Sequence, residues 1–307
     1  VRGQLVVGAF SPSVLLRVSR RLGLLGDRGL DVLEQPVPSS PAQFRALLDG
    51  DLDAALTSPD NVVAYRFDPG NPLGETADVR IVAAIDRGLG LGLYARPGIT
   101  TADRLKGAVI GVDVPGSGFA LALYALLASL GLDRADYRVV PLGSTPRRLE
   151  ALMAGDCDAT MLNAGNELRA EDAGSARLVR LVDVCRPYLG TVLSTVGDRR
   201  RALVEALAGA LRDAAREITA GNADRVAVEE AAAALGLPET LARRYLQRLK
   251  DPEEGLVADG VVDLQAMETV VGLRRRYVPA TAGGADVLAT ALEPSRGLLD
   301  PPGAAGR

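Results

Sequence analysis

Ala151-Leu152-Met153-Ala154-Gly155-Asp156-Cys157-Asp158-Ala159 repeats a phrase already used as Ala46-Leu47-Leu48-Asp49-Gly50-Asp51-Leu52-Asp53-Ala54. Both read A-L-(L/M)-x-G-D-x-D-A. Each copy closes a segment that a proline opens, Pro41 in the first and Pro146 in the second. Each runs into a short apolar segment, Ala54–Thr57 or Ala159–Leu162, and then into a polar loop, Ser58-Pro59-Asp60-Asn61 or Asn163-Ala164-Gly165-Asn166. Upstream, a strand entering a helix also occurs twice. Leu5-Val6-Val7-Gly8 precedes Ser11-Pro12-Ser13, and Ala108-Val109-Ile110-Gly111 precedes Pro115-Gly116-Ser117-Gly118. A long-period repeat outranks any local signal in deciding a fold. Two copies are too few for a stacked solenoid, so the pattern predicts two similar α/β lobes facing each other.

The chain has 307 residues, enough for two domains with a large core. Hydrophobic residues make up 48%, which places it among globular chains. A net charge of -4 argues against nucleic acid as a partner, because a phosphate-backbone binder needs a basic surface. Histidine and tryptophan are both absent. That removes Ser-His-Asp and Cys-His catalysis and every imidazole metal ligand. Acid–base work is left to carboxylates, Tyr, Lys or Cys. Neither a metal nor a cofactor is expected. Cys157 and Cys185 have no metal-binding spacing and read as two buried thiols, with a disulfide between them left open by the sequence. No apolar run is long enough to span a membrane. The chain opens on Arg2-Gly3-Gln4-Leu5, with neither a signal peptide nor a lipid-anchoring cysteine near the start. The expected location is extracytoplasmic if a leader was removed and cytoplasmic otherwise.

Taken in order, a strand is expected over 5–10, then a helix from Pro12 to about Leu25 with Ser11 as its cap. A strand over 30–36 leads to a helix over 41–48, capped by Ser39 or Ser40, and to a strand over 51–57. The Ser58 loop leads to a short helix over 62–65. Strands over 79–86 and 90–95 form the first crossover between lobes. The second copy supplies strands over 108–113, 137–141 and 158–162 and helices over 117–130 and 146–154. Residues 163–171 read as a loop and short helix. Strands follow over 178–184 and 188–195, the latter being the return crossover. Four helices, over 199–220, 223–235, 238–249 and 264–276, are expected to pack on the first lobe. Residues 279–307 are rich in Ala, Gly and Pro and read as an extended tail, frayed at Pro301-Pro302-Gly303.

Three segments carry a resemblance to a known family. They are Leu105-Lys106-Gly107-Ala108-Val109-Ile110-Gly111-Val112 with Pro115-Gly116-Ser117-Gly118, then Leu130-Gly131-Leu132-Asp133, then the second repeated phrase. Their order and spacing resemble the periplasmic-binding-protein type II fold over about residues 3–200. Within it they are similar to solute-binding proteins grouped with aliphatic-sulfonate, nitrate/taurine and thiamine-pyrimidine binders. The resemblance implies two α/β lobes joined by two crossover strands, with a helical C-terminal part packed on the first lobe. Residues 1–88 and 190–307 would form the first lobe and 89–189 the second. It further implies a small-molecule ligand between the lobes, hinge closure over it, an ABC permease as partner, and a monomer. Ligands in open α/β sheets collect at the carboxyl ends of strands, which points to the same cleft.

The strand–helix turns and strand ends supply the candidate ligand-binding residues. Gly116, Ser117 and Gly118 open an apolar helix whose free N–H groups and positive dipole end favour an anionic group. Ser11 and Ser13 occupy the matching turn of the first lobe, with Phe10 beside them as an aromatic wall. Thr57, Ser58 and Asn61 follow one repeated strand, and Asn163 and Asn166 the other, where orienting polar groups belong. Asp86 and Arg87 sit at the first crossover, with Arg186, Tyr188 and Thr191 at the second. Either arginine is a candidate partner for a carboxylate, sulfonate or phosphate. Asp51, Asp53, Asp156 and Asp158 resemble paired catalytic carboxylates, but they flank strand starts at the end away from the cleft and are assigned to turns. The expected ligand is therefore small, partly apolar and a candidate anion. The competing reading is a cytoplasmic enzyme on the same fold, similar to desulfinases, decarboxylases or pyrimidine synthases, acting on a small aromatic or heterocyclic acid. It would draw on Cys185 as a low-pKa thiol, and it lacks the histidine those enzymes use.

Overall fold

The repeated plan is visible in the sheets of the computed structural model, which describes residues 3–278 and 287–299. The first copy forms β1 (Gly3–Ala9), α1 (Val14–Arg21), β2 (Leu30–Pro36), α2 (Ser40–Asp49), β3 (Ala54–Thr57), α3 (Pro59–Phe67) and β4 (Val79–Asp86). The chain then crosses to β5 (Gly92–Ala95) and builds the second copy. That copy consists of β6 (Val109–Val112), α4 (Gly118–Ser129), β7 (Arg138–Pro141), α5 (Thr145–Ala154), β8 (Ala159–Leu162), α6 (Asn166–Asp172) and β9 (Ala176–Arg180). It returns through β10 (Thr191–Val196) and ends in α7 (Arg201–Thr219), α8 (Asp224–Leu235), α9 (Glu239–Lys250) and α10 (Leu264–Tyr277).

Two five-stranded sheets result, ordered β2-β1-β3-β10-β4 and β7-β6-β8-β5-β9. In each, four strands run in one direction, and the fourth in order is an antiparallel strand adjoining a crossover. β10 thus sits between β3 and β4, and β5 between β8 and β9. Each lobe is tied into the other by a strand inside its sheet, not at its edge.

The repeated phrase is explained by its hydrogen bonds. Gly50 and Gly155 end α2 and α5 at φ 88° and 83°, the left-handed conformation that glycine adopts without a Cβ penalty. The next residue then folds back, with Asp51 N–H donating to Ala46 O and Asp156 N–H to Ala151 O, both at 2.9 Å. The second aspartate clamps the first strand of its own lobe. Asp53 N–H donates to Val6 O while Asp53 Oδ2 accepts from Val6 N–H, both at 2.8 Å. Asp158 does the same to Val109, at 2.7 and 2.8 Å. The carboxylates serve the turns, as their position in the sequence indicates.

Several boundaries move. Ser13, not Ser11, caps α1, its Oγ accepting from Leu16 N–H at 3.2 Å. α1 begins only at Val14, so Ser13 is the residue that precedes its first turn. α1 stops at Arg21 because Gly23 takes φ 78°. The Ser58 loop is instead the start of α3, with Pro59 at its first turn. β3 begins only at Ala54, since residues 51–53 are used in the clamp. β9 ends at Arg180 in a short turn over Leu181–Asp183, and Tyr188 lies ahead of β10.

Among the C-terminal helices, α7 packs on α1 and β4, α8 on α1, and α9 on α8, with α9 also touching α6 of the second lobe. α10 likewise bridges the lobes, lying against both α3 and α4. Its Met267 and Val271 join a first-lobe core cluster and its Val270 a second-lobe one. In the tail, Leu298 is buried and Leu299 bridges Ile81 in parallel, so this part is docked and not extended. The fraying expected at Pro301 lies outside the described residues.

Replacing Asp158 or Asp53 with Ala leaves a strand N–H without its acceptor. Each change should lower stability by about 1–3 kcal/mol in urea unfolding. Asn, which keeps one acceptor oxygen, should lose less. Unchanged midpoints for both alanine variants would remove the clamp from the account of the fold.

Candidate ligand-binding cleft

The carboxyl ends of β1, β3 and β4 face those of β6 and β8 across a cavity between the lobes. The first lobe contributes Phe10, Ser11 and Ser13 after β1, Thr57, Ser58 and Asn61 after β3, and Ile85, Asp86 and Leu89 at the crossover. The second contributes Asp113, Ser117, Phe119, Thr145, Arg148 and Asn163. Thr191 enters from β10, and Tyr245 and Leu249 from α9. Phe10 and Phe119 bring an aromatic ring from each lobe.

Phe10, Ser11, Ser13, Ser58, Asn61, Ser117, Asn163 and Thr191 therefore come together, with Thr57 and Asp86. Six of the expected residues do not line the cavity. Tyr188 is buried in the second-lobe core. The carbonyl of Gly116 accepts from Arg274 Nη2 at 2.9 Å. Gly118 packs on the opposite lobe, where a Cβ would stand 2.4 Å from Ser58 Oγ and 2.7 Å from Asp60 Cβ. Asn166 ties the lobes from outside the cavity, its Nδ2 donating to Ser11 Oγ at 3.3 Å. Arg87 donates to Leu256 O at 3.0 Å, and Arg186 pairs with Glu253 at 3.0 Å, so both arginines serve the scaffold.

The lobes meet on more than one side of the cavity. Gly118 N–H donates to Asn61 Oδ1 at 3.4 Å. Arg274 joins the same rim, holding Asp60 through Nε and Nη2 at 2.8 and 2.7 Å while reaching Gly116 O. Elsewhere Ser40 N–H donates to Asp113 Oδ2 at 3.2 Å, and Ser144 N–H to Pro38 O at 2.9 Å. At the crossovers Gly190 lies so close to Gly88 that a Cβ would fall 2.4 Å from Gly88 N.

Burial perturbs the charged groups here. Asp86 is pushed up to about 6 by burial, against the opposing effect of bonds from Thr191 and Gly88 N–H. Glu167, beside Gly90 at the crossover, is pushed up to about 8 by burial, with its Oε2 accepting from Gly165 N–H at 2.7 Å. Arg148 is lowered to about 10 by burial. Its guanidinium is tied to Gly143 O at 2.6 Å, Thr145 Oγ1 at 2.9 Å and Met161 O at 3.3 Å. Cys157 and Cys185 are free and buried, and burial pushes each thiol up to about 11. Neither lines the cavity.

The sequence reading missed Asp113, Phe119, Arg148, Tyr245 and Leu249. Asp113 had a usable signal: it follows β6 as Phe10 follows β1. Tyr245 and Leu249 sit at i, i+4 on α9, a spacing that reads equally as core.

Gly118→Ala should hold the lobes apart while each lobe stays folded. Its radius of gyration by solution scattering should exceed that of the unsubstituted chain in any condition that closes the latter, and equal values would sink the contact. Asp86 and Glu167 titrate above ordinary carboxylates, so between about pH 4 and 8 the folded state binds more protons than the unfolded one. Stability should therefore fall as pH rises through this window. Glu167→Gln should flatten the fall up to about pH 8, so its melting temperature should gain on the unsubstituted protein between pH 5 and pH 8. A parallel pair of curves would contradict the buried acid.

Comparison with curated protein sequences gives no significant match. Among solved structures, the alkanesulfonate-binding protein SsuA of Xanthomonas axonopodis pv. citri, bound to MOPS, aligns with TM-score 0.69 at 20% identity, over 89% of this chain and 91% of that one. The periplasmic nitrate-binding protein NrtA of Synechocystis PCC 6803 aligns with TM-score 0.71 at 12% identity, over 94% and 84%. The desulfurization enzyme DSZB aligns with TM-score 0.62 at 18% identity, over 96% and 100%. At these identities the likeness establishes the shared two-lobed fold. A family model matches residues 19–237, well over half of the chain, which therefore belongs to the family described as ABC transporter, phosphonate, periplasmic substrate-binding protein.

Proposed function

We propose that the protein captures a small, largely apolar organic solute with one polar head in the interlobe cavity and passes it unchanged to the permease of an ABC importer. The observation that carries this reading is the cavity itself, lined from both lobes and bounded by hydrogen bonds between them. Phe10, Leu56, Ile85, Leu89 and Phe119 suit an apolar body, and Ser58, Ser117, Asn163 and Thr191 are spaced around it to orient polar atoms. The sheet memberships support a first lobe of residues 1–88 with 190–307 and a second of 89–189. Family membership supports an extracytoplasmic site of action. The ligands named for the relatives carry oxyanion heads.

The enzymatic reading finds little to work with. The like-folded desulfurization enzyme keeps the possibility in view, yet both thiols here sit away from the cavity with raised pKa values.

Native mass spectrometry of the purified protein, followed by thermal-shift titration, separates the two readings. A solute should raise the melting temperature in proportion to the logarithm of its concentration, worth about 2.7 kcal/mol at a hundred times Kd. It should be recovered with its mass unchanged. A ligand consumed with a new mass appearing would replace transport by catalysis.

A further inference from the structure

We propose that the solute carries an apolar tail, an alkyl chain or a ring, that leaves the cleft and sinks into the core of the first lobe, where Tyr245 and Leu249 of α9 form its end wall and set how long a tail is accepted. The inference rests on the solute-binding reading and names the ligand class and the specificity-determining residues of that same cavity.

The two lobes line the cavity with different chemistry. The second lobe supplies mostly polar groups, Asp113, Ser117, Thr145, Arg148 and Asn163, with Phe119 and Ala164 as the apolar exceptions. The first lobe supplies polar groups at its strand ends and, with them, Leu15 of α1, Leu56 of β3, Ile85 of β4, Tyr245 and Leu249 of α9, and Leu256. These last six are at most 6% exposed and belong to a single core cluster, the one that packs α1, α7, α8 and α9 on the sheet. The cavity therefore borders the polar strand ends of one lobe and the apolar core of the other. That asymmetry gives a bound molecule a direction, with its head towards the second lobe and its tail in the first.

Apolar space of this kind holds water poorly and accepts an apolar guest. A second, smaller void shares Leu15 and Ile85 with the cavity and is otherwise bounded by residues such as Leu211 and Ala215 of α7 and by Val257. Leu15 and Ile85 thus have space on both sides and can yield to a tail. The end wall is firmer. Tyr245 and Leu249 lie one turn apart on one face of α9. The helix that carries them is braced by the second lobe, because Arg244 pairs with Glu171 of α6 and Leu168 of α6 enters the same core cluster. The wall is complete only while α6 rests on α9. A tail that reaches it gains more with the lobes together than apart, so tail length bears on closure as well as on affinity.

Homologous series separate the tail from the head. Unbranched alkyl phosphonates, carboxylates and amines, from methyl to octyl, put three different heads on the same tails, and each can be titrated by calorimetry at pH 7.5. In whichever series binds, affinity should rise about fourfold per added methylene, the gain from taking one CH₂ out of water, until the tail meets α9. Leu249→Ala should carry that rise to longer tails and Leu249→Phe should end it at shorter ones, with the methyl members bound as before. Should the phenylalanine variant fail to fold, the alanine variant alone decides. Equal affinity along a series that binds, or a limit that the variants do not move, overturns the tail pocket while solute binding stands. If no series binds, the molecule that co-purifies with the protein decides: an apolar chain or ring opposite its polar head supports the assignment, and a compact polar molecule overturns it. No binding together with no co-purifying molecule overturns both readings.

Discussion

The ion pair between Arg274 and Asp60 governs how the two halves of this molecule meet. Both side chains are almost fully buried, and the guanidinium engages the carboxylate through two nitrogens at 2.8 and 2.7 Å. Removing two charges from water costs several kcal/mol per ion, and only such two-pronged geometry with further bonds offsets it. Asp60 lies in the first turn of α3, where the helix dipole favours its charge. Arg274 adds Asp68 at 3.3 Å and then reaches the carbonyl of Gly116. The pair thus fixes α10 to α3 and leaves one donor facing the second lobe at the mouth of α4. That is why the last helix touches both lobes.

Glycine decides how near the lobes come. Gly118 allows the start of α4 to rest on Ser58 and Asp60, and Gly190 allows the two crossovers to touch. Sequence reading assigned Gly118 to the ligand through the free N–H groups of a helix start, a sound argument about an isolated helix. In the folded chain the N–H of Gly118 is met by Asn61 from the other lobe. The electrostatic preference for an acceptor is satisfied, but by protein.

The architecture was legible because it is written twice. The repeated A-L-x-x-G-D-x-D-A phrase encodes a left-handed helix stop and a carboxylate clamp, both local devices whose chemistry depends on residue type and spacing. Phe10, Ser58, Ser117 and Asn163 were legible for the same reason, as strand ends in a known order. Arg148, Tyr245 and Leu249 were not. A buried arginine in a helix and two residues of an amphipathic helix carry no mark of the cavity they line, because their position follows from how separate elements pack. Gly116 and Tyr188 were misplaced by a residue or two of direction, Tyr188 turning into the second-lobe core just ahead of β10.

The hydrogen bonds across the cleft run from 2.9 Å at Gly116 and Pro38 through 3.2 Å at Asp113 and 3.3 Å at Ser11 to 3.4 Å at Asn61, with a salt bridge from Arg244 to Glu171 beside them. A net intramolecular hydrogen bond contributes about 0.5–1.5 kcal/mol, so no single member of this set locks the lobes together. That matters to a protein that must release what it captures. Were the lobes fused by a continuous apolar interface, closure would dominate whether or not the cavity were filled. With a rim of separate polar bonds, the balance between open and closed falls within reach of a solute that touches both lobes at once, since a ligand shifts an equilibrium only by its differential affinity for the two states. Asp113 stands at both places in that balance. One of its oxygens takes a rim bond from Ser40, and the other is left unpartnered among the cavity residues.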